Sequence, residues 1–286
     1  GGGGGGGGGR RAPPPPDGAR SGMEIKEISG TAPRSSALAD LGITVREQGA
    51  DMHGTLPAVP QLAVPGTNWL RASALATLAD IQLGLLVVRE IAPRIPVTLS
   101  LEVHLFEEIA VGGTIHGVGR VVKAGRTVLA LSVEFHDDTD RPVGVGHCLF
   151  MAAPDPSLRI PTGRWALDRL STVQGLLSVP VAQRFGCQRI EPGIASLPCA
   201  DDVRNSSRTL NGGLLPLVVE EAVLSMTPGA TLASLSLEYL RPVRHGPAVA
   251  RARMRGDVGT AEVHDAGSDV LAVIATTRAF PGRPEA

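Results

Sequence analysis

Residues 72–91 read "ASALATLADIQLGLLVVREI", and one carboxylate, Asp80, stands in the middle of a segment that is apolar on nearly every side. A helix with no polar stripe has no face to turn to water, so the rest of its domain must wrap it. An unpaired charge there costs far more than a buried methyl group returns, so Asp80 must be hydrogen-bonded, neutralised or needed for chemistry. The chain downstream of the helix supplies the wrapping. "PVTLSLEV" at Pro96–Val103 leads into three more strand-like segments, Thr114–Val122, Thr127–His136 and Pro142–Met151, rich in β-branched residues and separated by Gly, Asp and Pro turns. With an extended segment from "LGITV" at Leu41 before the helix, the order is α+β, and a curved antiparallel sheet around one central helix satisfies it.

The same order recurs further along. "FGCQRI" from Phe185 opens the second copy, a helix is predicted over Gly212–Met226, and "ASLSLEY" at Ala233–Tyr239 repeats the "LSLE" of Leu99 at Leu235. Strands are predicted over Ala248–Met254, Thr260–His264 and Val270–Phe280. A period this long is no solenoid unit and reads as duplication of a whole domain. The expected division is a low-complexity tail at 1–22, one domain at 23–155 and a second at 156–286. The tail, nine Gly followed by Arg and Pro, cannot meet the entropy cost of folding, carries no apolar signal-peptide core, and leaves Met23 as the candidate start of translation.

Composition narrows the function. The chain has 27 basic and 28 acidic residues with only five Phe, two Trp and one Tyr, which lacks both the basic excess and the stacking inventory of a nucleic-acid binder. The three cysteines, Cys148, Cys187 and Cys199, have no C-x-x-C spacing and suggest neither a disulfide framework nor structural zinc, so a cytoplasmic setting is expected. In the first helix the apolar run Ile81–Val88, bounded by Asp80 and Arg89, reads as too short to cross a bilayer, and no membrane partner is expected. The cluster His136, Asp137, Asp138 and Asp140 reads as an acidic turn and not a metal loop. His147 and Cys148 would point to opposite faces of a strand, which disfavours a nucleophilic pair. "GVGRVV" at Gly117 lacks a following helix, and no lysine follows a glycine as a P-loop needs.

Taken together, "ALATLADIQLG" with "VTLSLEVHLFEEIAVGGTIHGVGRVVKAGRTVLALSVEFHD", and "NGGLLPLVVEEA" with "SLSLEYLRPVRHGPAVARARM", resemble the hotdog-fold acyl-CoA thioesterases of the phenylacetate-pathway (PaaI-like) type. The resemblance covers roughly residues 37–281 and implies two tandem hotdog domains, a double hotdog. Family members carry His-Gly-Gly at the start of the central helix and an acid nine positions after that His. The second half has Asn211, Gly212, Gly213 and then Glu220; the first keeps only the acid, with Arg71, Ala72 and Ser73 before Asp80.

The resemblance implies hydrolysis of an acyl-CoA thioester, with backbone N–H groups at the helix start holding the oxyanion and an acid from the other half acting as base or nucleophile. That gives two pseudo-equivalent sites, Gly212–Gly213 with Asp80 and Ala72–Ser73 with Glu220, the first preferred because its glycines are intact. Asn211, Arg71 and Ser73 would line the substrate, and Arg241 and Arg244 of "RPVRH" would meet the coenzyme A phosphates unless that run is only a solvated hairpin. Glu220 with Glu221 also fits an ordinary half-exposed helix face. No cofactor beyond the coenzyme A of the substrate is implied, and further pairing of chains into a homo-oligomer is expected. The rival readings are a non-catalytic acyl-CoA sensor, supported by the degraded "RAS" motif, and an acyl-CoA hydratase, which lacks a histidine in either helix.

Overall fold

The two "LSLE" copies meet each other. In the computed structural model, which describes residues 1–4, 37–160, 176–205 and 207–280, strand β3 (Pro96–Leu105) pairs antiparallel with β9 (Leu232–Tyr239), Leu101 opposite Leu237. These two leucines hold the same place in each repeat, so the pseudo-twofold axis relating the halves passes between them. On one side lie β1 (Thr44–Gln48), β2 (Asp51–Pro57), β4 (Thr114–Ala124), β5 (Val128–His136) and β6 (Pro142–Ala152). On the other lie β7 (Gln188–Glu191), β8 (Ile194–Leu197), β10 (Ala248–Arg255), β11 (Val258–Asp265) and β12 (Val270–Ala279). The sheet order β1-β2-β4-β5-β6-β3-β9-β12-β11-β10-β8-β7 is palindromic about β3–β9, as duplication requires. The expected tail at 1–22, with Met23, lies outside the described residues except for the exposed Gly1–Gly4.

Helix α1 (Ala72–Ile91) has the predicted bounds and packs on its own sheet half, with Leu75, Leu78, Leu83 and Leu86 fully buried. Each such leucine contributes on the order of 2 kcal/mol. By length and composition α1 could span a bilayer, which corrects the reading based on Ile81–Val88 alone; here 67% of its most apolar window is buried inside the protein. Gln82 shows why glycines recur on the strands beneath it: its Nε2 donates to Gly117 O at 2.9 Å and to Met52 O, and a Cβ at Gly117 would lie 2.5 Å from its Oε1. The glycines of "GVGRVV" thus make room for a core amide.

The second central helix is broken where one was expected. Gly212–Leu214 form a 3-10 turn, and the α-helix, α3, runs Leu215–Leu224, after the short α2 at Val181–Arg184. Pro216 sits in the first turn of α3, where its missing N–H is tolerated. Asn211 caps the turn by accepting from Gly213 N–H at 2.9 Å. Both helices belong to one continuous core. Asp137 accepts from the Thr139 and Arg141 N–H groups, so the acidic run is a closed turn, and His147 faces out while Cys148 is buried.

Candidate active site between the halves

The structure brings Asp80 of α1 against the Gly212–Gly213 turn of the other half. A Cβ at Gly213 would lie 3.0 Å from Asp80 Oδ2, so only glycine lets the carboxylate come this close. Thr98 Oγ1 donates to Asp80 Oδ1 at 3.0 Å. Burial among apolar side chains raises the Asp80 carboxyl to about 6, while the bonds from Thr98 and the Gly213 backbone pull it back. Asp80 still keeps part of its surface open. It is therefore an anion at about pH 7 that is held near its protonation point.

Thr98 reaches Asp80 because β3 is irregular. Leu101, Val103 and Leu105 face the core, and strict alternation would turn Thr98 outward. The register of β3 against β6 slips between Thr98 and Ser100, and this bulge re-aims Thr98 inward. Sequence reading missed Thr98, since an alternating pattern gives no sign of a bulge. Tyr239, at the end of β9, was seen only as the last letter of "LSLEY"; its hydroxyl donates to Gly212 O at 2.9 Å. Burial, then the Asp80 charge, pushes both the Tyr239 phenol and the Cys148 thiol up. Cys148 therefore stays a thiol and is no nucleophile here.

The pseudo-equivalent arrangement at the start of α1 is filled from within. Glu220 accepts from Ala72 N–H at 3.0 Å, from Ser73 Oγ at 2.5 Å and from Arg71 Nη1 at 3.4 Å, and it is 0% exposed. Arg71, itself 1% exposed, also meets Glu221 at 2.5 Å through Nη2, and Arg189 holds the other Glu221 oxygen at 2.5 Å. Burial pushes the Glu220 carboxyl up, with Arg71 and Ser73 pulling against it. Neither acid forms the half-exposed helix face that composition allowed. Arg71 provides no side-chain cap for α1, so Glu220 supplies one from the other half.

Arg241 and Arg244 lie in the exposed loop after Tyr239. Asp265 organises that loop by accepting from the N–H groups of Arg244, His245 and Gly246, and these bonds overcome burial to hold its carboxyl down at about 2. Among the described residues no cluster of three His, Cys, Asp or Glu could hold a metal.

A doubled antiparallel sheet wrapped on two central helices, with a carboxylate of one helix set against the glycine start of the other, defines a double hotdog of the thioesterase fold. Residues 72–143 match the family model described as the thioesterase superfamily. Among solved structures, a 12:0-ACP thioesterase from Umbellularia californica is similar over 83% of this chain and 100% of its own, with 16% identity and a TM-score of 0.56. An acyl-ACP thioesterase from Bacteroides thetaiotaomicron VPI-5482 is similar over 85% and 99%, with 11% identity and a TM-score of 0.55. No curated protein matches by sequence.

Proposed function

We propose that the chain hydrolyses an acyl-CoA thioester at the Asp80–Gly213 site. The observation that carries this reading is a partly open carboxylate, raised to about 6, facing a glycine helix start in the other half. The acyl carbonyl lies over the turn, where the Gly213 N–H turns from Asn211 Oδ1 to the oxyanion as Asp80, which also draws on that N–H, takes up a proton and ceases to compete for it. Asp80 takes a proton from water as its oxygen attacks the carbonyl carbon; the tetrahedral intermediate collapses, the C–S bond breaks, and the proton passes to the departing thiolate. Free acid and CoA thiol result. Thr98 holds Asp80 Oδ1, which leaves Oδ2 to face the water. Arg241 and Arg244, exposed beside Tyr239, are the proposed contacts for the CoA phosphates, and Asn211 lines the carbonyl pocket.

In this reading Glu220, Arg71 and Ser73 form a structural cap and not a second working site, because the Glu220 carboxylate is 0% exposed and locked at once to Ala72 N–H, Ser73 and Arg71. A second reading, with acyl carrier protein in place of CoA as thiol carrier, is favoured by the two acyl-ACP thioesterases among the solved relatives. Thiol release from short, medium, long-chain and aryl acyl-CoAs, and from acyl carrier protein thioesters, tests both. Release that is lost in Asp80→Asn and kept in Glu220→Gln supports the site. Release from carrier-protein thioesters alone moves the assignment to that carrier, and no release from any thioester overturns hydrolysis.

A further inference from the structure

The Gly212–Gly213 peptide is the least constrained by its own side chains of any at the site, because two residues without Cβ place little steric barrier against rotation of the peptide plane between them. Yet the structure fixes it from both ends. A trans peptide points its C=O and N–H in opposite directions, so a bond at one end sets the aim of the other. Tyr239 Oη donates to Gly212 O at 2.9 Å, and the N–H of the same peptide, that of Gly213, is held by Asn211 Oδ1 at 2.9 Å. The next carbonyl, Gly213 O, accepts from Thr77 of the other half at 2.7 Å. Leu214 N–H closes the turn on Asn211 O at 3.1 Å.

We propose that Tyr239 is a positioning residue of the site, whose hydroxyl holds the Gly212–Gly213 peptide unit so that the Gly213 N–H points to where the acyl oxygen binds. This rests on the proposed thioester hydrolysis. The two halves differ at this position as the inference requires. The residue after "LSLE" is Tyr239 in the second half and Val103 in the first, and valine has no hydrogen to donate. The helix start on the valine side is the one sealed by Arg71 and Glu220; the start on the tyrosine side is open at Asp80. A bond at the carbonyl also polarises the peptide and makes its N–H a better donor, so Tyr239 acts on both aim and strength. It touches neither the reacting carbon nor the water.

Tyr239→Phe keeps the ring that packs on Gly212 and removes only the donor. In the full chain, the expected result is a fall in kcat of about 10-fold with KM changed by less than about 2-fold, because the lost interaction serves the transition state. Amide exchange at Gly213, followed by NMR, should speed up by about 10-fold as the peptide is released from one end. A purely structural role would lower the melting temperature without this split of kcat from KM. Tyr239→Phe with unchanged kcat, or with unchanged Gly213 exchange, overturns the proposal. If the wild type cleaves no thioester, the hydrolase reading fails on its own, and the exchange rate still decides whether Tyr239 holds the peptide. If Tyr239→Phe does not fold, 3-fluorotyrosine built in at the chain's single tyrosine makes the hydroxyl a stronger donor without removing it, and unchanged exchange at Gly213 in that protein would again count against the clamp.

Discussion

The Glu220 carboxylate accepts the Ala72 N–H at 3.0 Å, so the acid that shares its repeat position with Asp80 serves as the cap of a helix in the other half. One duplicated residue has thus taken two fates. Asp80 is half-buried with a carboxyl raised to about 6; Glu220 is sealed with Arg71 and Ser73. Removing Glu220 strands the buried Arg71 charge and the Ala72 donor. Glu220→Ala should lower stability by roughly 3–5 kcal/mol, while turnover per folded molecule stays within about 2-fold. Urea unfolding beside active-site titration separates the two effects, and a large loss of turnover with full stability would return Glu220 to the chemistry.

Asp80→Asn should behave in the opposite way. Turnover falls by about 100-fold or more, since general-base catalysis contributes factors of that size. Stability at about pH 7 should rise. The folded carboxyl sits at about 6 against an ordinary value of 3.8, so ionising it in the folded state carries a penalty that is absent below pH 3.8, grows between 3.8 and 6, and is constant above 6. At neutral pH the wild type is therefore destabilised by roughly 2–3 kcal/mol relative to a neutral isostere. Chemical melts of both proteins should diverge between about pH 4 and 6 and run parallel above that; curves parallel over the whole range would show that Asp80 is not desolvated.

The same group sets the pH dependence of catalysis. Activity should rise with pH through an acid limb near 6, where Asp80 loses its proton. Thr98 stabilises the charged form, so Thr98→Val should push that limb upward and lower kcat at about pH 6 more than at pH 8, and Thr98→Ser should restore it. A pH–kcat/KM profile of the three proteins checks this. An unmoved limb in Thr98→Val would mean that the hydroxyl holds the strand bulge and not the charge.

The sequence makes the wrapped helix and the duplication legible because both rest on long-range patterns: no polar stripe over Ala72–Ile91, and "LSLE" repeated at Leu99 and Leu235. The pairing of Asp80 with Gly212–Gly213 across halves was also accessible, once one repeat position held both acids. The fate of Glu220 was not. Arg71 reads as a departure from a motif, and nothing in its neighbourhood says that its guanidinium turns inward to meet two glutamates. Thr98 was hidden by a one-residue slip in register, and Tyr239 by a contact with a backbone oxygen, which leaves no trace in side-chain chemistry.

The loop carrying Arg241 and Arg244 offers a test away from the helices. Three backbone N–H groups converge on the Asp265 carboxylate, which holds it at about 2 against an ordinary value of 3.8. Its contribution is present in full above pH 3.8 and is lost as pH falls through 2, and amounts to roughly 2 kcal/mol. Asp265→Asn should lose about that much at neutral pH and flatten the acid side of the stability curve measured by urea unfolding.

Glycine at 213 and glycine at 212 should differ sharply when each is replaced by alanine. At Gly212 the new methyl meets Tyr239 Cε1 at 3.5 Å and Asp80 Oδ2 at 4.0 Å, which are ordinary contacts. At Gly213 it meets Asp80 Oδ2 at 3.0 Å and Asn211 Oδ1 at 3.3 Å, so the carboxylate or the whole turn has to move. A shift on the order of 1 Å at a reacting group can cost about 100-fold in rate. Gly213→Ala should therefore lose about that factor in kcat, with folding retained, while Gly212→Ala loses less than about 10-fold. Steady-state kinetics on the two variants at matched folded fractions reads the difference. Equal losses would mean that the close approach of Asp80 to the turn is not what the chemistry uses, and that an N–H other than that of Gly213 receives the acyl oxygen.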